Sequence, residues 1–123
     1  IPVQSGSEKI LKHMKRVHAV GNFKTAITEF RKKFPEISIA TDIIVGYPLE
    51  TEEDFQLTYN LIKETKPEVL NISRFSSRPG TKASKLKQLL SEVIKERTLR
   101  LNKLYNQIRN ELIEKRLLQN INA

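Results

Sequence analysis

Short apolar runs alternate with segments of helical periodicity along this chain, a pattern typical of parallel strands joined by crossover helices. Residues 37–45 are mostly apolar and rich in β-branched side chains, as expected of a strand covered on both faces. Residues 69–75 predict a second strand, and residues 1–4 have the pattern of the end of another. The sequence therefore predicts an α/β fold with parallel strands.

Four helices are predicted between and after these strands. The first follows Ser7, the second begins after residues 21–22, and the third begins at Thr51, where Asp54 completes a capping-box pattern. Residues 91–118 contain no Gly or Pro and predict one long helix. Its apolar stripe consists of Leu90, Val93, Leu101, Leu104, Ile108 and Leu112.

The two faces of the second predicted strand differ in polarity. Leu70 and Ile72 alternate with Asn71 and Ser73, and successive residues of a strand lie on opposite faces. One face is thus expected to meet the helices, and the other to look into a polar interior.

Asp42 is a candidate site residue because it shares its strand face with Ala40 and Ile44 and can project into that interior. A carboxylate there needs a cation or several hydrogen-bond donors, since burying it unpaired is costly. A ligand amino group or a structural Lys or Arg would serve. The pattern alone favours the structural pair.

The composition is that of a soluble globular protein, with 38% hydrophobic and 29% charged residues. The chain has 123 residues, far fewer than the ~250 of a complete eight-unit α/β barrel. It has no apolar run near the ~20 residues that cross a membrane and no signal-peptide pattern at its start. We therefore expect a cytoplasmic protein without a membrane partner and, because the first residue is not Met, an excised fragment.

Cysteine and charge narrow the possible chemistry. The chain contains no Cys, which excludes disulfides and any metal or iron-sulfur site held by thiolates of this chain alone. Its formal charge of +8 favours phosphate-rich partners, although a lysine-rich solvated surface explains much of it. Most of this charge lies in residues 82–119, which carry ten Lys or Arg and four Glu.

Four motifs resemble the radical S-adenosylmethionine methylthiotransferases. They are Ile-Pro-Val-Gln-Ser-Gly-Ser at 1–7, Met-Lys-Arg at 14–16, Thr-Asp-Ile-Ile-Val-Gly-Tyr-Pro with Glu-Thr-Glu-Glu-Asp-Phe at 41–55, and Ser-Arg-Pro-Gly-Thr-Lys-Ala at 77–83. Their order and spacing match the family, whose members typically have Gly at the position of Leu49. Residues 70–80 are most similar to the archaeal and eukaryotic branch, whose substrate is threonylcarbamoyladenosine beside the tRNA anticodon. Sister branches act on isopentenyladenosine in tRNA or on a ribosomal protein.

The resemblance implies an architecture and a cofactor set. Residues 1–80 would be the C-terminal half of a radical S-adenosylmethionine (βα) barrel, and residues 81–123 a helical extension that leads toward an RNA-binding domain. An upstream C-x-x-x-C-x-x-C loop would hold a 4Fe-4S cluster, which donates an electron to S-adenosylmethionine and cleaves it to a 5′-deoxyadenosyl radical. Without that loop, this chain alone is expected to be inactive.

By the same resemblance, Gln4, Arg16 and Asp42 match positions that hold S-adenosylmethionine. Arg16 suits its carboxylate, Asp42 its amino group or ribose, and Gln4 either. Simpler roles are open: Arg16 as a cation at a helix carboxyl end, and Gln4 as a cap for the helix after Ser7.

Two arginines are candidates for contacting tRNA. Arg74 and Arg78 bracket Phe75 at the expected barrel mouth, where they could stack on a base and meet its phosphate. Arg78 is equally explained by bonds that fix the turn at residues 79–80. Other polar residues are expected to have no site role: Glu50, Glu52, Glu53 and Asp54 as complements of a helix dipole, and His13 and His18 as surface residues.

A hypothesis from another class is a non-catalytic, basic RNA-binding module. It predicts no cysteine triad upstream of residue 1, whereas the enzyme hypothesis requires one. Under the barrel hypothesis the cut edge is also expected to be covered, either by self-association or by the long helix folding back on the strands or exchanging with a neighbour.

Overall fold

The computed structural model describes residues 3–14, 19–76, 79–80 and 85–121. Its strands β1 and β2 pair in parallel, with Asp42 beside Asn71 and Ile44 beside Ser73. The α/β prediction is confirmed by this sheet and a long final helix. The elements in chain order are α1 (Glu8–His13), α2 (Ala19–Lys33), β1 (Ala40–Val45), α3 (Glu52–Thr65), β2 (Val69–Arg74) and α4 (Ser91–Ile121).

A short segment at Gln4 lies against the edge of β1 that β2 leaves free. The Gln4 amide donates to the Asp42 carbonyl at 2.8 Å, and the Ile44 amide donates to the Gln4 carbonyl at 2.9 Å, which forms a parallel bridge. On the opposite edge, the Val45 carbonyl accepts from Phe75 at the end of β2. The spatial order is therefore the Gln4 segment, β1 and β2, which is also their order along the chain.

Two predicted boundaries are wrong by a few residues. Helix α2 begins at Ala19, so that Gly21 lies inside the helix instead of before it. Glycine disfavours a helix by only about 1 kcal/mol, and burial of Phe23 and Ile27 in the core outweighs that cost. Strand β1 begins at Ala40 instead of residue 37, because the Ile37 amide donates to the Phe34 carbonyl at 3.0 Å in the turn that follows α2.

The predicted capping box at the start of α3 is confirmed. The Thr51 hydroxyl accepts from the Asp54 amide at 3.1 Å, and the Asp54 carboxylate accepts from the Thr51 amide at 2.9 Å. The helix ends at Lys66, which has a φ of 47°, and Pro67 follows. Both ends of α3 are thus set by local sequence signals.

The core lies between the helices and one face of the sheet. Ile43, Val45 and Leu70 point to this face, and α4 contributes Leu101, Leu104 and Ile108. The predicted stripe of α4 is therefore confirmed in its middle. Leu90 is the exception at 70% exposure, because it precedes the helix and the packed part begins near Ile94.

The other face of the sheet carries exposed residues. Asp42, Asn71 and Ser73 all lie on it and are exposed. The alternation in β2 predicted that Asn71 and Ser73 share a polar face, whereas β1 was expected to be covered on both faces and is open on the face of Asp42. Since the helices α2, α3 and α4 pack on the opposite face, this polar face has no covering layer within the described residues. None of the described helices is long and apolar enough to cross a membrane.

Candidate functional site

The uncovered sheet face places a carboxylate and an amide in contact. Oδ1 of Asp42 accepts a hydrogen bond of 2.9 Å from Nδ2 of Asn71, its neighbour in the parallel register. A carboxylate has about four lone-pair sites, so this bond leaves Asp42 with acceptor capacity for a further donor. Asp42 thus points away from the helices and can meet a ligand.

Gln4 adjoins Asp42 across the edge of β1, through the backbone bond that joins their chains. Its φ of 68° lies in the left-handed region, which is uncommon for a residue other than glycine. The chain therefore changes direction directly after the bridge. The structure thus places the backbones of Gln4 and Asp42 side by side, with Gln4 in register with Ile43, and Arg16 lies outside the described residues.

The loop that precedes α1 is held against α3 by buried hydroxyl groups. The Gly6 amide donates to Oγ1 of Thr58 at 2.8 Å, and Oγ of Ser7 donates to Oδ1 of Asp54 at 2.7 Å. A Cβ on Gly6 would lie 2.5 Å from the Leu57 carbonyl oxygen, so only glycine permits this close approach. These contacts fix the loop relative to the sheet.

Asp54 has a larger structural role than the helix-dipole function expected of it. Burial by itself would raise the pKa of Asp54, but hydrogen bonds from Lys9, the Thr51 backbone, and the hydroxyls of Ser7 and Thr51 lower it to about 2. The Lys9 ammonium lies 2.8 Å from Oδ2. The carboxylate therefore joins the first turns of α1 and α3.

Glu50 was also expected to complement the dipole of α3, and this expectation is wrong. The residue is buried, and its Oε1 lies 2.9 Å from Nη1 of Arg97 in α4. The same oxygen accepts from the Gly46 amide at 3.2 Å. Burial raises the pKa of Glu50, while the bonds from Gly46 and Arg97 act in the opposite direction. The turn after β1 is thereby fixed to α4.

An aromatic cluster joins the carboxyl ends of the strands to α1. The Tyr47 hydroxyl is hydrogen-bonded to Nδ1 of His13, and the Tyr47 ring packs edge-on against Phe75, with ring centroids 5.1 Å apart. Burial raises the pKa of Tyr47. His13 is half-buried, so the prediction of a plain surface histidine is wrong for this residue, and His18 lies outside the described residues.

Arg74, predicted to contact tRNA, is exposed at the end of β2. It pairs in register with Val45, so it lies on the opposite strand face from Asn71. The next residue, Phe75, packs against Tyr47, which leaves its ring only partly open for stacking on a base. Arg74 and Asp42 thus do not share a face, and Arg78 lies outside the described residues.

One groove among the described residues lies apart from these side chains. It has a volume of about 590 Å³ and is lined by Arg31, Glu36, Glu68 and Lys115, among others. These residues surround the amino ends of the strands. Because α/β proteins build their ligand sites at the carboxyl ends of parallel strands, the groove is a weaker candidate than the polar sheet face.

Curated relatives match nearly the whole chain. A protein of Pyrococcus horikoshii named probable threonylcarbamoyladenosine tRNA methylthiotransferase is 47% identical over 115 residues, which is 94% of this chain and 27% of the relative. The human threonylcarbamoyladenosine tRNA methylthiotransferase is 45% identical over 106 residues, 86% of this chain and 18% of the relative. This chain is homologous to a segment of the tRNA methylthiotransferases. The resemblance indicated by the sequence motifs is confirmed.

The methylthiotransferases it matches include more than one substrate branch. The tRNA-2-methylthio-N(6)-dimethylallyladenosine synthase of Methylacidiphilum infernorum is 47% identical over 116 residues, 94% of this chain and 25% of the relative. The chain thus spans between 18% and 27% of the length of these three relatives. No model of a protein family matches the chain.

Proposed function

We propose that this chain is part of a tRNA methylthiotransferase that adds a methylthio group to threonylcarbamoyladenosine near the tRNA anticodon. The observation that carries this proposal is the identity of 47% over 94% of the chain with a relative of that name. Related archaeal and eukaryotic proteins of the same name are 41–47% identical. The reaction would replace a C–H hydrogen with a methylthio group, and the names of these relatives describe the transfer of that group.

We propose that residues 1–80 form half of a radical S-adenosylmethionine barrel whose interior is the polar sheet face. Three observations support this architecture: parallel pairing, a spatial order of strands that equals their chain order, and helices on one face only. Residues 81–123 would be the extension toward an RNA-binding domain, and their helix α4 packs on the same core.

The polar groups on this sheet face fit S-adenosylmethionine. The Asp42 carboxylate retains lone pairs for an ammonium or a ribose hydroxyl, and the Gln4 backbone is bonded to the Asp42 backbone across the edge of β1. Arg16, which would meet the carboxylate of the cofactor, is retained from the family resemblance. When bound, the cofactor would supply the radical that removes the C–H hydrogen. The residues of this chain would hold and orient it on the polar sheet face, where Asp42 and Asn71 lie in the middle of their strands.

The residues of this chain do not fit an iron-sulfur cluster. The chain has no Cys, and its described residues hold no group of three His, Asp or Glu at metal-binding distance. Thiolates are the usual ligands of such clusters. A 4Fe-4S cluster would therefore be held by a part of the protein outside these 123 residues.

The substrate can be tested in a strain that lacks the gene. The complete protein is expressed there, total tRNA is digested to nucleosides, and mass spectrometry measures the methylthio derivatives. We expect methylthio-threonylcarbamoyladenosine to appear. Formation of the dimethylallyladenosine derivative alone would assign the protein to the branch of the Methylacidiphilum relative instead. Formation of neither would favour the non-catalytic RNA-binding module.

The proposal that the cluster is held outside this chain can be tested on the 123 residues alone. After reconstitution with iron and sulfide under anaerobic conditions and incubation with S-adenosylmethionine, we expect no 5′-deoxyadenosine, because the cluster has no thiolate ligands here. The complete protein serves as the positive control. Stoichiometric cleavage by the chain alone would contradict the proposal that the cluster is held elsewhere.

A further inference from the structure

Asn71 is the described side chain in contact with the Asp42 carboxylate. We infer that Asn71 is a positioning residue for the cofactor: its amide holds one oxygen of Asp42 so that the other oxygen faces the ligand. The inference rests on the proposed function, because it assumes that S-adenosylmethionine binds on this sheet face. It deepens that proposal by assigning a residue to the orientation of the carboxylate.

The geometry of the parallel sheet explains why the two side chains meet. Adjacent strands lie about 4.8 Å apart, and residues in register point to the same face. Asp42 and Asn71 are such a pair, and their hydrogen bond measures 2.9 Å. The terminal torsion of an aspartate is broad, so an isolated carboxylate on this face would adopt many orientations. The Asn71 amide selects one of them.

The polarity of the pair determines what it can bind. With Asn71 donating one of its two N–H groups to Oδ1 of Asp42, the pair presents one remaining N–H and two acceptors, the second carboxylate oxygen and the amide oxygen. Two adjacent acceptors match a group with two or more donors, such as an ammonium or the two hydroxyls of a ribose. They repel a carboxylate. The pair should therefore meet the amino or ribose part of S-adenosylmethionine and not its carboxylate.

Binding can be measured directly on the complete protein with its cluster. Equilibrium dialysis gives the Kd for S-adenosylmethionine without turnover, and thermal unfolding verifies that each variant is folded. Asn71→Ala should raise the Kd about tenfold, the scale of losing a hydrogen bond to a charged group. Asn60→Ala is the matched control, since Asn60 is an exposed asparagine of α3 whose oxygen accepts from Gln56 at 3.0 Å. Its Kd should not change.

A double-mutant cycle separates this inference from the proposed function. If Asn71 acts through Asp42, Asn71→Ala should have no further effect once Asp42→Ala is present. An unchanged Kd for Asp42→Ala would overturn the cofactor assignment itself. A raised Kd for Asp42→Ala with an unchanged one for Asn71→Ala would overturn only the role of Asn71. Additive effects would also overturn it.

The isosteric change Asn71→Asp supplies a readout that a purely structural residue would not give. Two carboxylates at hydrogen-bond distance raise the pKa of one of them, and its protonated form restores the lost donor. The Kd of this variant should therefore approach the wild-type value as the pH falls, and rise as the pH increases. A Kd ratio to wild type that is constant with pH would contradict the proposed donor role.

Discussion

Asp54 takes part both in a helix cap and in contacts between two helices. By sequence it belongs to the capping box of α3, and the structure adds bonds from Ser7 and Lys9 of the neighbouring loop and helix. Charged hydrogen bonds of this kind favour the ionised carboxylate. The pKa of Asp54 is lowered to about 2 in the folded protein.

This lowered pKa predicts a defined dependence of stability on pH. The ordinary value is 3.8, so the ionised form stabilises the fold above that pH, and the stabilisation is lost as the pH falls toward 2. This difference between the two pKa values corresponds to about 2 kcal/mol in the free energy of unfolding. Urea unfolding from pH 7 to pH 2 should show that Asp54→Asn is less stable by about this amount at pH 7 and nearly equal to wild type at the lowest pH.

Glu53→Gln is the matched control, because Glu53 lies in the same helical turn and is exposed. It should leave the pH profile nearly unchanged. An equal loss of stability in both variants would contradict this prediction. It would mean that the fold is stabilised by the charge of the whole acidic turn near the helix dipole, and not by the network around Asp54.

At the scale of elements, α4 is attached to the turn that follows β1. Arg97 reaches the buried Glu50, and Ile94 packs directly over Gly46. Gly46 has a φ of 89°, and a Cβ there would lie 2.6 Å from Cγ1 of Ile94. Backbone conformation and close packing therefore both require glycine at this position.

Gly46→Ala and Gly21→Ala are predicted to change stability in opposite directions. The first introduces strain and a clash, and should destabilise the fold by about 1–3 kcal/mol. The second adds a methyl group to an exposed position of α2 with no atom within 4 Å, and should stabilise it by roughly 0.5–1 kcal/mol. Chemical denaturation of both variants measures the difference. An unchanged stability of the Gly46→Ala variant would show that α4 can shift away from the turn without a cost in free energy.

At the scale of the whole molecule, the sheet is covered on one side. The long helix packs on the core face of the strands of its own chain and closes the helix layer. The polar face has no such cover among the described residues, and Val69 on that face is 42% exposed. A strand pair with an open face and a free edge invites association.

The 123-residue chain should therefore self-associate when expressed alone. Light scattering across a dilution series should give an average mass above 14.3 kDa that falls on dilution. Val69→Lys should lower the association by placing a charge on the open face. Leu57→Lys is the control, because Leu57 is 50% exposed on α3, on the other side of the sheet. A monomer at every concentration would contradict this prediction.

Local patterns in the sequence determined the class of the fold and most of its elements. The capping box of α3, the alternation in β2 and the middle of the α4 stripe all depend on residues within a few positions of each other, and all three were predicted correctly. The period of two along a strand also predicted the strand face on which Asp42 lies. The start of α2 was missed because the packing of Phe23 and Ile27 outweighed a local glycine signal.

Only the tertiary structure decided which distant residues meet. Glu50 and Arg97 are 47 positions apart, Tyr47 and His13 are 34 apart, and Asp42 and Asn71 are 29 apart. Each residue type has many acceptable partners, and a single sequence contains no signal that selects among them. The choice depends on strand register and on where α4 packs. The sequence therefore predicted a carboxylate on the polar face, whereas the amide that orients it could be identified only once the strands were paired.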